Sequence, residues 1–189
     1  MQSNHDSKIK ICVSGVSGTT KLCNVDALEI GRELGRNIVE HDCIVTTTST
    51  TGFPLWTAIG AKQRNGTTIS FSPASNHHDH TFVHRLPTEY FDIMVYTSFG
   101  SAGAGIMAVR SSDAIIFGCG SMTTLMELSI AIEEEKPIGI LAGPWNTDEV
   151  LQQMLTSNYP DYTNFVVDRD PRRLLEQILK MVKVQKIDH

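Results

Sequence analysis

The stretch Asp113-Ala-Ile-Ile-Phe-Gly-Cys-Gly-Ser-Met-Thr-Thr-Leu-Met-Glu127 decides the fold of this chain. Its first residues are apolar, as in a buried strand, and a turn of glycine, serine and threonine then opens directly into a helix. The N–H groups at the start of a helix have no intrahelical partner and carry roughly half a positive charge. Small residues in the turn would let an anion approach the backbone. The stretch therefore predicts a strand–turn–helix unit that binds a phosphate group.

The alternation of strand and helix continues along the chain in both directions. Short β-rich runs precede segments whose apolar residues recur at helical spacing. The predicted pairs are 8–14 with 25–40, 44–46 with 53–64, 91–96 with 102–110, 114–117 with 122–134, 137–141 with a helix from about 147, and 164–167 with a helix from about 171; a strand at 67–71 precedes a long polar loop. Strands alternating with helices give a mostly parallel sheet covered on both faces. The sequence predicts a Rossmann-like, doubly wound α/β fold.

Length and charge limit the domain count and the classes of partner. The chain has 189 residues, enough for one full core and too few for two ordinary domains. We expect residues 1–8 to be a disordered N-terminus and residues 9–189 to form a single Rossmann-like nucleotide-binding domain. The formal net charge of −5 offers no basic surface to a nucleic-acid backbone, so nucleic acid is not an expected partner.

Cysteine usage and hydropathy predict a cytoplasmic protein with no membrane partner. The four cysteines show no paired metal-type spacing and are interpreted as reduced thiols. The N-terminus has no apolar segment of the signal-peptide kind, and no later stretch approaches the length of a membrane span.

Turns rich in glycine and hydroxyl groups follow four of the predicted strands, at residues 14–20, 46–52, 97–105 and 118–124. In a parallel sheet these turns meet at one edge, and ligands of such sheets bind beyond the carboxyl ends of the strands. Any one turn is explained better by tight turns and helix caps than by ligand binding, but four at one edge indicate a binding site. The first turn is not a GxGxxG motif, so a dinucleotide oxidoreductase fits poorly. The candidate ligand-binding residues are Gly15, Ser17, Gly18, Thr50, Thr51, Gly52, Thr97, Gly118, Gly120, Ser121, Met122, Thr123 and Thr124.

Several of these segments resemble the LOG-like, or lysine-decarboxylase-like, superfamily, which includes cytokinin-activating phosphoribohydrolases and molybdenum cofactor carrier proteins. The resemblance spans roughly residues 9–141 and is carried by 13–18, 52–61, Val95-Tyr-Thr97, Ser112-Asp-Ala114, and Thr124-Leu-Met-Glu127 followed by Lys136-Pro137. The Tyr-Thr and Ser-Asp-Ala segments are most similar to the carrier-type branch. The resemblance implies a Rossmann-like homodimer, or a higher homo-oligomer, that binds a nucleoside monophosphate. No cofactor is expected to be required, and a nucleotide or phosphate is the expected bound group.

The phosphate loop implied by this resemblance, PGGxGTxxE, is altered in this chain. Cys119 stands at the proline, Gly120 and Ser121 at the two glycines, Thr123 at the third glycine, Thr124 at the threonine and Glu127 at the glutamate. The hydrolases also use an arginine in the preceding helix, and the matching place here is Gly103 or Ala104. Arg110 lies a turn or two further along. Cleavage of an N-glycosidic bond needs a carboxylate at the sugar and a cation for the phosphate, and only the carboxylate has a candidate.

Two further features allow both a functional and a structural interpretation. Glu127 could face the cleft as a catalytic carboxylate or as an acceptor for ligand hydroxyls, or it could simply complement the helix dipole, at about 0.3–1 kcal/mol. The loop 76–80, with His84 nearby, could gather imidazoles around a divalent metal. A solvated polar loop explains that composition better, so no metal site is predicted.

Three functions follow from these observations. The leading hypothesis is a carrier- or sensor-type protein that binds a nucleoside monophosphate or a nucleotide-like cofactor through the strand–turn–helix loop. The alternative is a nucleoside 5'-monophosphate phosphoribohydrolase with Glu127 as its catalytic residue. A third is a protein-interaction module that keeps the fold without a tight ligand. The missing arginine and the altered glycines favour binding over catalysis, because the helix N-termini alone suffice to hold an anion.

Overall fold

The computed structural model describes residues 7–18 and 23–187, so residues 1–6 of the predicted disordered N-terminus lie outside the described residues. Seven strands in the described chain form one parallel sheet. They are β1 (Lys10–Ser14), β2 (Ile44–Thr48), β3 (Thr68–Ser72), β4 (Ile93–Tyr96), β5 (Ala114–Phe117), β6 (Ile138–Leu141) and β7 (Phe165–Asp168). Their order across the sheet is β4-β3-β2-β1-β5-β6-β7, and every neighbouring pair is parallel. The predicted Rossmann-like α/β fold is confirmed.

Helices connect the strands. The described part of the chain contains α1 (Val25–Glu40), α2 (Phe53–Lys62), α3 (Gly100–Arg110), α4 (Met122–Glu133), α5 (Thr147–Asn158) and α6 (Pro171–Ile187). Local sequence sets their ends: Asn24 caps α1 by accepting a hydrogen bond from the N–H of Ala27 at 3.1 Å. In α2, Pro54 occupies the first turn, where a missing N–H is tolerated. None of the helices in this described portion is both long enough and apolar enough to cross a bilayer.

Alternating side chains of the central strands fill two hydrophobic layers, one on each face of the sheet. In β5, Ile116 packs into the layer that contains α1 and α6, whereas Ile115 and Phe117 pack into the layer that contains α3, α4 and α5. Successive residues of a strand point to opposite faces, so a strand buried on both sides is apolar throughout. This is why the run 114–117 could be recognised as a central strand.

Strand order reverses between β1 and β5. From β1 the chain proceeds outward through β2, β3 and β4, and then returns to place β5 on the other side of β1, with Ser14 beside Phe117. The connections leaving these two strands diverge, which opens a crevice at the carboxyl edge of the sheet. The loops that follow β1 and β5 are therefore the ones expected to contact a ligand.

The long polar loop between β3 and β4 is more ordered than its sequence suggests. It contains a π-helical turn (Asp79–Val83) whose His80 side chain is fully buried. The Nε2 of His80 lies 3.1 Å from the carbonyl oxygen of Pro87, and its Nδ1 lies 2.8 Å from the hydroxyl of Ser72. Because a carbonyl oxygen only accepts, Nε2 carries the proton and Nδ1 accepts from Ser72 in the neutral ring. The loop is thus fastened to the carboxyl end of β3.

Candidate functional site

A cleft of about 220 Å³ lies at the carboxyl edge of the sheet, beside the reversal of strand order. The structure brings together there seven of the residues singled out from the sequence: Gly15, Ser17, Thr50, Thr51, Ser121, Thr123 and Glu127. A wider, shallower groove of about 550 Å³, with Tyr162 and Lys180 in its walls, lies at the opposite edge. Parallel α/β sheets bind ligands at the carboxyl edge, so the smaller cleft is the candidate site.

The other predicted site residues surround the cleft and do not line it. Gly118 packs against the ring of Phe53, and Gly52 contacts the backbone at Gly18. Gly120 donates its N–H to Thr147 Oγ1 at 3.0 Å, and Thr97 donates its hydroxyl to the Ser72 carbonyl at 2.8 Å. Thr124 is buried, whereas Met122 is 78% exposed. These contacts shape the turns. Any direct contact of these residues with a ligand stays a prediction.

The start of α4 presents a small number of free backbone donors. The N–H of Ser121 donates to Thr124 Oγ1 at 3.0 Å, and the N–H of Thr124 donates to the Ser121 carbonyl at 3.0 Å. Within the described residues, the N–H groups of Met122 and Thr123 have no acceptor. Such donors at a helix N-terminus favour an anion. The start of the helix therefore keeps these two amides available, while the N–H groups of Gly120, Ser121 and Thr124 hold the shape of the turn.

Glu127 places a carboxyl group in the wall of the cleft, on the second turn of α4. Its side chain is 4% exposed, and burial raises the pKa of this carboxyl to about 7. The hydroxyl of Ser14, at the end of β1, donates to Glu127 Oε2 and opposes that rise. Gly105 of α3 leaves the space that the other oxygen needs, because a Cβ there would lie 2.8 Å from Oε1. At neutral pH this carboxyl can therefore accept or donate a proton or a hydrogen bond.

In the part of the chain that the structure describes, few side chains at the cleft can carry a positive charge. Among the described residues that line it, none is a lysine or an arginine, and His84 is the one side chain that can become a cation. Of the two positions where the resemblance implies an arginine, Gly103 and Ala104, the second lines the cleft and presents a methyl group to it. Arg110 pairs instead with Glu134, with 2.9 Å between Nε and Oε1. The arrangement can hold an anion by backbone amides and hydroxyls, without a guanidinium group.

Sequence reasoning missed half of the lining residues. They are Thr48, Ser49, Pro73, His84, Leu86, Ser101 and Ala104. Thr48, Ser49 and Ser101 lie within turns already identified as hydroxyl-rich, so a wider selection from those turns would have included them. His84 and Leu86 line the cleft because the β3–β4 loop folds back over it, and nothing in the local sequence predicts that loop conformation.

The histidines of the β3–β4 loop have separate partners. His77 Nδ1 lies 3.2 Å from the hydroxyl of Tyr96, the ring of His78 stacks on Phe82 with 4.7 Å between centroids, and His80 is buried as described above. Across the described ranges, no group of three or more His, Cys, Asp and Glu side chains is placed to hold a metal ion.

The thiol in the phosphate loop is not activated. Cys119 is buried, and its hydrogen bond with Cys23, together with burial, raises the pKa of the Cys119 thiol far above its usual range. A nucleophilic cysteine needs the opposite shift. Cys119 therefore serves the turn as a small buried residue, whose carbonyl also accepts the N–H of Val16 at 2.7 Å.

Comparison with known proteins gives a family match and a set of similar folds. The family model "LDcluster4: SLOG cluster4 family" matches residues 8–175. An uncharacterized protein of Archaeoglobus fulgidus is 27% identical over 136 residues, which cover 72% of this chain and 83% of that protein. The structure of the molybdenum cofactor binding protein from Rippkaea orientalis is similar, with a TM-score of 0.79 and 23% identity over 94% of this chain and 99% of that chain. The molybdenum cofactor carrier protein of Chlamydomonas reinhardtii gives a TM-score of 0.77, also at 23% identity and with the same coverage. At these identities the structural matches establish a shared fold.

Proposed function

Because this chain belongs to the SLOG cluster4 family, we propose that it binds a phosphorylated nucleoside or a related nucleotide-like cofactor and carries or senses it. The ligand class is suggested by the similar structures, which are those of molybdenum cofactor binding and carrier proteins. The proposal extends to a homodimer in the cytoplasm, with no nucleic acid or membrane as partner. Exposed Ile106 and Met107 on α3 would suit a dimer contact.

One observation carries the proposal: the N–H groups of Met122 and Thr123, which have no acceptor among the described residues, stand at the start of α4 beside a hydroxyl-rich cleft. Backbone donors at a helix N-terminus bind phosphate without any cationic side chain. The cleft, at about 220 Å³, is smaller than the roughly 300–1,000 Å³ of typical ligand pockets. It would therefore enclose the phosphate and sugar of a nucleotide and leave the remaining end at the surface, which suits a protein that passes its ligand on.

We expect 5'-phosphorylated nucleosides to raise the melting temperature more than the matching nucleosides. A ligand that binds only the native state at 100 times its Kd adds about 2.7 kcal/mol of stability, which is roughly 5–10 °C for a chain of this size. The measurement is differential scanning fluorimetry with paired ligands: 5'-GMP with guanosine, 5'-AMP with adenosine, and a phosphorylated pterin with its dephosphorylated form.

A matched pair of variants at Met122 isolates the backbone donor. Met122→Pro removes one free N–H at the first helical position, where proline is tolerated and the preceding Ser121 is already extended. Met122→Ala keeps that N–H and removes the same exposed side chain. The proline variant should bind phosphorylated ligands roughly 10- to 100-fold more weakly than the alanine variant, because a hydrogen bond to a charged group contributes about 1.5–3 kcal/mol. Equal binding by the two variants, or equal shifts for phosphorylated and unphosphorylated ligands, would contradict the proposal.

The alternative function, hydrolysis of the N-glycosidic bond of a nucleoside monophosphate, draws support from Glu127. Burial raises the pKa of its carboxyl to about 7, near the value that suits a general acid or base at neutral pH. The lining residues that the structure describes supply no arginine or lysine to orient the phosphate, which weighs against it. We therefore expect no free base when the protein is incubated with nucleoside monophosphates and the mixture is analysed by chromatography. Base release by the wild type that Glu127→Gln abolishes would reassign the protein as a hydrolase.

A further inference from the structure

The β3–β4 loop brings one basic side chain to a cleft that otherwise has none in the described part of the chain. His84 lines the cleft together with Ser101 and Ala104 of α3. In this wall the methyl group of Ala104 cannot contact a phosphate as an arginine would. An imidazole can donate a hydrogen bond to a phosphate oxygen in either protonation state, and when protonated it also brings a positive charge.

The backbone on both sides of His84 is held in place. Its own N–H donates to the carbonyl of Asp79 at 3.0 Å, which closes the π-helical turn. The N–H of Leu86 donates to the carbonyl of His80 at 3.1 Å, and the buried ring of His80 is bonded to Ser72 and Pro87. Ser72 is the last residue of β3, so these hydrogen bonds connect the segment around His84 to the sheet. Because the backbone at His84 is already held, a ligand has to order only the side chain, and less conformational freedom is lost on binding.

The ring of His84 is available for a ligand. Neither of its nitrogens makes a hydrogen bond to any residue that the structure describes. The nearest carboxylate oxygen is Oδ1 of Asp79, 3.9 Å from Nε2, too far for a hydrogen bond. Asp79 is itself engaged, because the N–H of Ser75 donates to its other oxygen at 2.9 Å and lowers the pKa of its carboxyl. Asp79 can therefore orient the ring of His84 as a fixed negative charge without occupying its donors.

We infer that His84 contacts the phosphoryl group of the bound ligand together with the amides at the start of α4, and so performs the part that an arginine of α3 would otherwise take. The inference rests on the proposed function, because it assigns a specificity-determining residue to that cleft. It implies that selectivity for phosphorylated over unphosphorylated ligands depends on a loop that is distant in sequence from the strand–turn–helix unit.

The binding test compares three variants with the wild type by isothermal titration with 5'-GMP and with guanosine. His84→Ala should bind 5'-GMP about tenfold more weakly and guanosine equally well, since it loses a donor to a charged group. His84→Lys should retain the preference for 5'-GMP, because it restores a donor and a cation. The control is His78→Ala, which removes a neighbouring imidazole that does not line the cleft, and it should behave as the wild type. Wild-type affinity of His84→Ala for 5'-GMP would overturn the inference.

A second readout on the wild-type protein separates this inference from the proposed function. Inorganic phosphate is added while the ring signals of His84 and the amide signals of Met122 and Thr123 are followed by NMR. Both sets should shift together with one binding constant. Amide shifts without a response of the His84 ring would overturn the inference, but they would still support phosphate binding in the cleft. A protein in which neither responds contradicts both.

Discussion

The Gly52→Ala variant is expected to lose about 3 kcal/mol of unfolding free energy. Gly52 precedes α2 with φ 71° and ψ −143°, a conformation that residues with a side chain avoid. A Cβ at this position would lie 2.3 Å from both the nitrogen of Gly18 and the carbonyl oxygen of Val16. The backbone conformation and the forced displacement each contribute on the order of 1–3 kcal/mol. For a chain of this length the melting temperature should fall by roughly 6–12 °C, which calorimetry measures directly.

Gly100→Ala provides the matched control for the close contact at Gly52. Gly100 also has a positive φ, 64°, but a Cβ there would have no heavy atom within 4 Å. This variant should show the conformational cost alone, about 1 kcal/mol. Because Gly52 joins the turn after β2 to the turn after β1, Gly52→Ala should also abolish the melting shift caused by phosphorylated nucleosides. Equal destabilisation by the two variants would show that these turns are not in backbone contact.

The stability of the wild type should fall relative to Glu127→Gln as the pH rises from 5 to 8. Burial raises the pKa of the Glu127 carboxyl from 4.5 to about 7, so between these values the folded protein holds a proton that the unfolded chain has released. Stability decreases with pH wherever the folded state binds more protons. At 1.36 kcal/mol per pKa unit the full difference is about 3 kcal/mol, of which about 2.5 kcal/mol is lost between pH 5 and pH 8. Urea denaturation of both proteins at pH 5 and pH 8 measures it.

Glutamine at position 127 keeps the shape of the side chain and an oxygen for the hydroxyl of Ser14, so the comparison isolates the charge. Glu133→Gln is the control on the same helix, because Glu133 is exposed, and it should follow the pH dependence of the wild type. A difference between wild type and Glu127→Gln that does not change with pH would mean that the carboxyl is not desolvated. The same result would remove the main support for the hydrolase alternative.

The fold was predictable because its signals are local. The strand from Ala114 to Phe117 is apolar on both faces, and each helix start carries a recognisable turn. The ends of elements were less accurate: α3 begins at Gly100, two residues before the predicted start at 102, since a glycine with positive φ gave no helical signal. The largest omission was the π-helical turn in the β3–β4 loop, because burial of His80 depends on contacts with Ser72 and Pro87.

The site was predictable to the extent that the topology alone brings its parts together. Parallel strands place the turns after β1, β2 and β5 at one edge, so Ser17, Thr50 and Thr123 were identified from sequence and do line the cleft. The amino-acid composition of the turns does not show which backbone amides stay free. The same Ser/Thr residues that mark an anion loop also bond to its backbone, as Thr124 does to Ser121.

The most direct test of the central claim is a crystal structure of the protein with a bound nucleoside 5'-monophosphate. The account predicts that phosphate oxygens lie about 2.9 Å from the backbone nitrogens of Met122 and Thr123, with the sugar beside Glu127. A ligand bound elsewhere on the protein, or a phosphate turned away from these two nitrogens, would contradict it.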